Sequence, residues 1–160
     1  IEFVSSPLEK PLRLTGLPRF ESVMTSDAPR ANVVATLMER FPDGTQRYLN
    51  FAALSLNHAE SLASYDTDIS GKTLPIGINF YPQDNVVAAG SQLVLHIGGD
   101  VAAEHVTSDG NASNFLNLGV SLLPVGMGAT VSLDLASTRL LLPVNPGDRV
   151  ETLPWLTPAP

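Results

Sequence analysis

Val33-Val34-Ala35-Thr36-Leu37-Met38-Glu39-Arg40, then Phe41-Pro42-Asp43-Gly44-Thr45, then Gln46-Arg47-Tyr48-Leu49-Asn50-Phe51-Ala52-Ala53-Leu54, is the stretch on which the fold turns. Val33, Ala35 and Leu37 alternate with Val34, Thr36 and Met38, and both sets are largely apolar, which predicts a strand buried on two sides. An Asp-Gly pair between two strand-like runs is a strong hairpin signal. The return run, Gln46 to Leu56, carries Tyr48, Phe51 and Leu54 three residues apart. That spacing also suits a helix, but the aromatic content and the preceding turn favour a strand.

Outward from this hairpin the chain keeps the same grammar. Upstream, Leu12, Leu14 and Gly16 precede a segment from Arg19 to Met24. Downstream, Asn57 to Lys72 is polar and reads as a loop. Thr73 to Phe80 then gives the cleanest alternation, with Leu74, Ile76, Ile78 and Phe80 on one face. Pro75 cannot donate a ladder bond, which predicts an edge strand or a bulge. Tyr81 to Asn85 reads as a turn, and Leu93, Leu95 and Ile97 mark the next strand. Residues 98–114 form the longest polar loop. Further strands fit Phe115 to Leu123, Ala129 to Leu135 and Arg139 to Val144.

Thirteen prolines and twelve glycines break the chain too often for long helices. Short strands with polar turns predict an all-β fold, an antiparallel two-sheet sandwich, with a barrel as the alternative. A parallel sheet is disfavoured because crossover helices are missing. At 160 residues one domain, 1–160, is the default, ending in an extended Pro-rich tail over 145–160. Ile1 in place of Met suggests a piece of a longer polypeptide.

Composition narrows the function classes. Net charge is −7, which repels a phosphate backbone and an anionic membrane surface, so neither nucleic acid nor membrane is an expected partner. There is no cysteine, which excludes disulfides and thiolate metal sites. The sequence does not fix a compartment.

Candidate chemistry is sparse. An elbow serine needs flanking glycines and a following helix. Ser91 follows Gly90, but Gln92 and Leu93 continue as a strand. The histidines are His58 at a strand end, His96 opposite the Leu93/Leu95/Ile97 face, and His105 beside Asp100, Glu104 and Asp109. No catalytic residue, cofactor or metal site is assigned. Asp66-Thr67-Asp68-Ile69-Ser70-Gly71 opens like a calcium loop, but the twelfth position is Gly77 rather than a bidentate Glu. Trp155, the sole tryptophan, either pins the tail to the body or anchors a contact with a neighbouring domain.

Several segments taken in order resemble a family. Phe3-Val4-Ser5-Ser6-Pro7-Leu8 and Leu12-Arg13-Leu14-Thr15-Gly16 look like the entry into the C-terminal domain of X-Pro dipeptidyl-peptidases, cocaine-esterase-like enzymes and α-amino-acid ester hydrolases. Thr25-Ser26-Asp27-Ala28 and Leu37 to Gly44 resemble that family's Pro-Asp-Gly hairpin. Ala89-Gly90-Ser91-Gln92-Leu93-Val94-Leu95-His96-Ile97 resembles one of its strands, and Ala129-Thr130-Val131 with Ser137 to Val144 its closing strands. Ser91 stands where many members have histidine, and Gly98-Gly99-Asp100 replaces a serine-rich stretch.

The resemblance implies a galactose-binding-like jelly roll, non-catalytic, following an α/β-hydrolase domain that carries the Ser-Asp-His triad. It implies that domain as partner, a supporting role at the substrate cleft or in a homo-oligomer, and a parent acting on Xaa-Pro peptides, esters or amides. The competing expectation is a stand-alone carbohydrate-binding or assembly module, which would need exposed aromatics on a concave face.

Overall fold

The computed structural model describes residues 1–99 and 129–144. Ten strands run through them in chain order. They are β1 (Glu2–Val4), β2 (Leu12–Gly16), β3 (Arg19–Ser26), β4 (Asn32–Arg40) and β5 (Gln46–Ser55). There follow β6 (Leu74–Asn79), β7 (Gln83–Val87), β8 (Gln92–Gly98), β9 (Val131–Leu133) and β10 (Arg139–Leu141). No α-helix occurs among the described residues. Every strand pairing is antiparallel.

The first layer has the order β1-β8-β4-β5, with the hairpin as its last two strands. Phe41 N donates to the Thr45 carbonyl (2.8 Å) and Gly44 N to the Phe41 carbonyl (2.9 Å). Asp43 Oδ1 accepts from Thr45 N (2.9 Å) and Thr45 Oγ1 (2.6 Å). Gly44 takes φ +86°, which costs a residue with a Cβ and costs glycine little. A register shift at Leu37/Met38 bulges β5 against β4.

The second layer consists of three strands, each interrupted partway. β3 lies between β6 and a strand made of β9 and β10, both antiparallel to β3. A 3-10 turn at Leu135–Ser137 separates β9 from β10, capped by Asp134, whose Oδ1 accepts from Ala136 N. Thr138 Oγ1 meets Ser22 Oγ at 2.9 Å beside this gap.

β2 leads into β3 through Gly16-Leu17-Pro18, and β6 leads into β7 through Phe80-Tyr81-Pro82. The pairing β3–β6 continues past the break as β2–β7, from Arg19↔Asn79 to Gly16↔Gln83. Between them Phe80 N donates to the Pro18 carbonyl (2.9 Å). Tyr81 to Asn85 is therefore a bend with β7 already under way at Gln83, and not the chain reversal expected from sequence. Pro18 and Pro82 both fall within this break and each removes an amide donor, so both strands leave the ladder there.

The two layers share one core. Phe20 and Met24 of β3 and Leu74, Ile76 and Ile78 of β6 pack with Val33, Ala35 and Leu37 of β4 and Leu93, Leu95 and Ile97 of β8. Each of these side chains except Ala35 stabilises the fold by roughly 1.5–3 kcal/mol on burial. This is the two-sheet antiparallel sandwich that the alternation predicts. β4 is buried on both faces, since Val34, Thr36 and Met38 are also at most 2 % exposed. Among the described residues β6 pairs with β3 alone, in keeping with Pro75.

The 57–72 segment is a loop but a pinned one. A 3-10 turn covers Leu56–His58, and Asn57 Nδ2 donates to the carbonyls of Pro29 (2.9 Å) and Asp66 (2.6 Å). Ile69 is fully buried. β1 was not legible as a strand. The strand expected at Phe115 to Leu123, most of the 98–114 loop with His105, and the tail 145–160 with Trp155 lie outside the described residues.

Candidate functional site

The sequence candidates scatter. His58 Nδ1 lies 2.6 Å from the Ser64 carbonyl oxygen, and its ring packs edge-on against Tyr65 at 5.2 Å. Ser91 is buried just ahead of β8. The calcium-like loop is occupied by its own donors. Asp66 Oδ1 accepts from Asp68 N (3.1 Å), Asp68 Oδ1 accepts from Ser70 N (2.9 Å), and Lys72 Nζ pairs with Asp66 Oδ2 at 2.6 Å. Among the described residues no three His, Cys, Asp or Glu gather as metal ligands.

One acid, imidazole and hydroxyl do stand side by side. Glu2, His96 and Thr36 are register partners across β1, β8 and β4. Glu2 Oε1 lies 3.9 Å from His96 Nδ1, beyond hydrogen-bond reach, and Glu2 Oε2 accepts from Arg40 Nη2 at 2.9 Å. The Thr36 hydroxyl makes no hydrogen bond and is 2 % exposed. A general base must reach the proton it removes, and a nucleophile must reach substrate. Thr36 meets neither condition, so the trio is no acyl-transfer relay.

The polar centre of the described body is Glu39, fully buried on β4. Its Oε2 accepts from Arg47 Nε (3.0 Å) and Nη2 (2.6 Å) on β5, and its Oε1 from the Ala88 amide (2.8 Å) after β7. Arg47 Nη2 also donates to the Val86 carbonyl (2.7 Å). Burial pushes the Glu39 carboxyl up. The Ala88 amide, the nearby Ser91 hydroxyl and the Arg47 guanidinium together outweigh burial and hold it below its usual range. This cluster fastens the second layer's bent strand to the hairpin of the first. Composition alone did not single it out; the signal was an acid in an otherwise apolar strand.

The same bend opens a cleft of about 450 Å³ between β5 and the Tyr81–Asn85 segment. Tyr81 is 60 % exposed, and its ring packs on Phe51 at 5.3 Å with a 54° tilt. Asn50, 4 % exposed, donates from Nδ2 to the Tyr81 carbonyl (2.8 Å) and to Gln83 Oε1 (3.1 Å), and its Oδ1 accepts from Phe51 N (2.8 Å). Asn85 Nδ2 also donates to Gln83 Oε1 (3.1 Å). Asp84 at the rim takes two bonds from Arg13, at 2.8 and 2.6 Å, and one from Thr15 at 3.0 Å. These hold its carboxyl down at about 2. Burial, with Tyr81 adding, pushes the Tyr48 phenol up.

These features define an antiparallel β-sandwich whose layers are tied together by the buried Glu39 cluster. The chain belongs to the X-Pro dipeptidyl-peptidase C-terminal non-catalytic domain family, whose model matches residues 1–113. Solved structures share the fold. An α-amino acid ester hydrolase matches with TM-score 0.71 and 14 % identity, over 91 % of this chain and 25 % of that one. A CocE/NonD family hydrolase from Staphylococcus aureus matches with TM-score 0.68 and 17 % identity, over 91 % and 30 %. An aminopeptidase from the marine sediment archaeon Thaumarchaeota archaeon matches with TM-score 0.58 and 18 % identity, over 63 % and 18 %. The chain thus spans less than a third of the length of each. No curated protein matches significantly.

Proposed function

We propose that this domain serves a serine hydrolase acting on Xaa-Pro peptides, esters or amides, by packing on an upstream α/β-hydrolase domain and supporting one wall of its substrate cleft. The observation that carries the reading is the family membership over residues 1–113, together with structural relatives of which this fold is only a quarter to a third. The chemistry belongs to the upstream domain, and no residue of this chain is assigned to it. Trp155 is the proposed anchor of the interdomain contact, since aromatic side chains dominate the energetics of such interfaces.

The test uses the full-length polypeptide that carries this domain. A benzophenone amino acid placed at position 155 should crosslink to the hydrolase domain of the same chain on irradiation. Crosslinking only between copies would transfer the role to self-association, and no crosslink would remove Trp155 from the interface.

A further inference from the structure

We propose that the end of the sandwich where β1 begins is the docking surface for the upstream hydrolase domain. Leu62 and Tyr65 of the 56–72 loop are its projecting contacts, and an apolar mouth between the two layers is its floor. The inference rests on the reading above that such a domain precedes Ile1, and it adds where that domain sits.

The strand registers bring the chain's entry and this loop to one end of the first layer. The Ile1 carbonyl accepts from Ile97 N (2.8 Å), Val34 pairs with Gly98, and Asn32 pairs with Ser55. The 56–72 loop therefore leaves β5 at the end where the chain enters β1. The order β1-β8-β4-β5 puts three inter-strand steps between them, roughly 14 Å. A domain of about 150 residues has a radius of gyration of about 15 Å. A domain joined at Ile1 is therefore wide enough to cover the loop.

This end is also apolar. A cavity of about 390 Å³ opens there between the layers, lined by Val33 and Ile97 of the first, by Met24, Val131 and Leu133 of the second, and by Ile1. No Asp, Glu, Lys or Arg among the described residues lines it. Ile1 and Tyr65 are about half exposed, and Leu62 is 82 % exposed. The loop holds the last two on a fixed frame. Leu56 N donates to the Ala31 carbonyl (2.8 Å), Asp66 N to the Asn57 carbonyl (2.8 Å), and Ser64 N to the Ser61 carbonyl (3.1 Å) across the turn that carries Leu62. Presenting an apolar side chain already in place lowers the ordering cost of a contact. The opposite end of the first layer is the hairpin, where Pro42 to Gln46 are exposed and mostly polar. Leu17, Tyr81 and Val86 are exposed too, but on or beyond the bend, away from Ile1.

The experiment uses the full-length polypeptide that carries this domain, with a benzophenone amino acid in place of Tyr65 or, as a control, of Gln46 at the hairpin. On irradiation position 65 should crosslink to the hydrolase domain of the same chain, and position 46 should not. Leu62→Asp changes a side chain that this domain leaves in water, so it should keep the circular dichroism spectrum. It should cut the crosslink yield at 65 about tenfold, the loss of one buried leucine contact. A yield that Leu62→Asp leaves unchanged would overturn the proposal. So would crosslinks from 65 confined to residues 100–128, whose neighbours Gly99 and Ala129 line the mouth, or crosslinks only between copies. Crosslinking to the hydrolase domain from 46 and not from 65 would overturn this surface and leave the packing reading in place. Silence at 46, 65 and 155 together would take down both.

Discussion

Glu39 and Arg47 face each other across β4 and β5, and the Glu39 side chain is fully buried while that of Arg47 remains 45 % exposed. The asymmetry decides what each contributes. Arg47 keeps water on one side. Glu39 has exchanged all of its water for the Arg47 guanidinium and the Ala88 amide. Removing the arginine leaves an acid with two N–H donors fewer; removing the acid leaves the Ala88 amide without its partner and unfastens the bend.

Glu39→Ala should therefore cost roughly 3 kcal/mol, and Arg47→Ala less, because water entering from the exposed side replaces the donors lost to Glu39. Chemical denaturation at pH 7 measures both. Equal losses would mean that the pair acts as an ordinary surface ion pair.

Acid should act through the same residue. The Glu39 carboxyl is held below its ordinary value of 4.5, so its contribution is fully present above that pH and is lost as pH falls through the depressed value. Asp84, held at about 2, adds a smaller loss at lower pH still. The urea midpoint should fall as pH drops below 4.5, and Glu39→Gln should flatten that fall while lowering the midpoint at pH 7. An unchanged acid slope in Glu39→Gln would assign the sensitivity elsewhere.

Gly16 should resist substitution. Its φ of +127° disfavours side chains, and an added Cβ would stand 3.1 Å from Pro143 Cβ. Gly16→Ala should cost about 1–3 kcal/mol by thermal melting. Gly44→Ala, with positive φ but open space around it, should cost less.

The Asp66–Gly71 loop should ignore calcium. Its carboxylates already accept from Lys72 and from backbone amides. Millimolar calcium or EDTA should leave the melting temperature within about 1 °C, and a larger rise with calcium would restore the metal reading.

The hairpin was legible because Asp43-Gly44 sits between two long apolar runs, a local pattern with local causes. The two-sided burial of β4 was legible from Val34/Thr36/Met38, and Pro75 agrees with β6 having β3 as its one partner among the described residues. The bend at Pro18 and Pro82 was not. Each proline alone reads as a turn, and only the pairing of β3 with β6 shows that the two breaks lie at one level. β1 escaped because three residues carry no period, and it is a strand through its pairing with β8. The cleft was invisible for the same reason, since Phe51 and Tyr81 meet across 30 residues of chain and no spacing announces them.

The central claim is that this domain does no bond-breaking of its own, and an activity assay on the purified 160-residue chain tests it most directly. The chain would be incubated with Xaa-Pro-nitroanilides and short-chain nitrophenyl esters, with and without a fluorophosphonate that labels activated serines. The account predicts release no faster than buffer and no adduct by intact mass. Turnover that the fluorophosphonate abolishes, with the label on a serine of this chain, would contradict it.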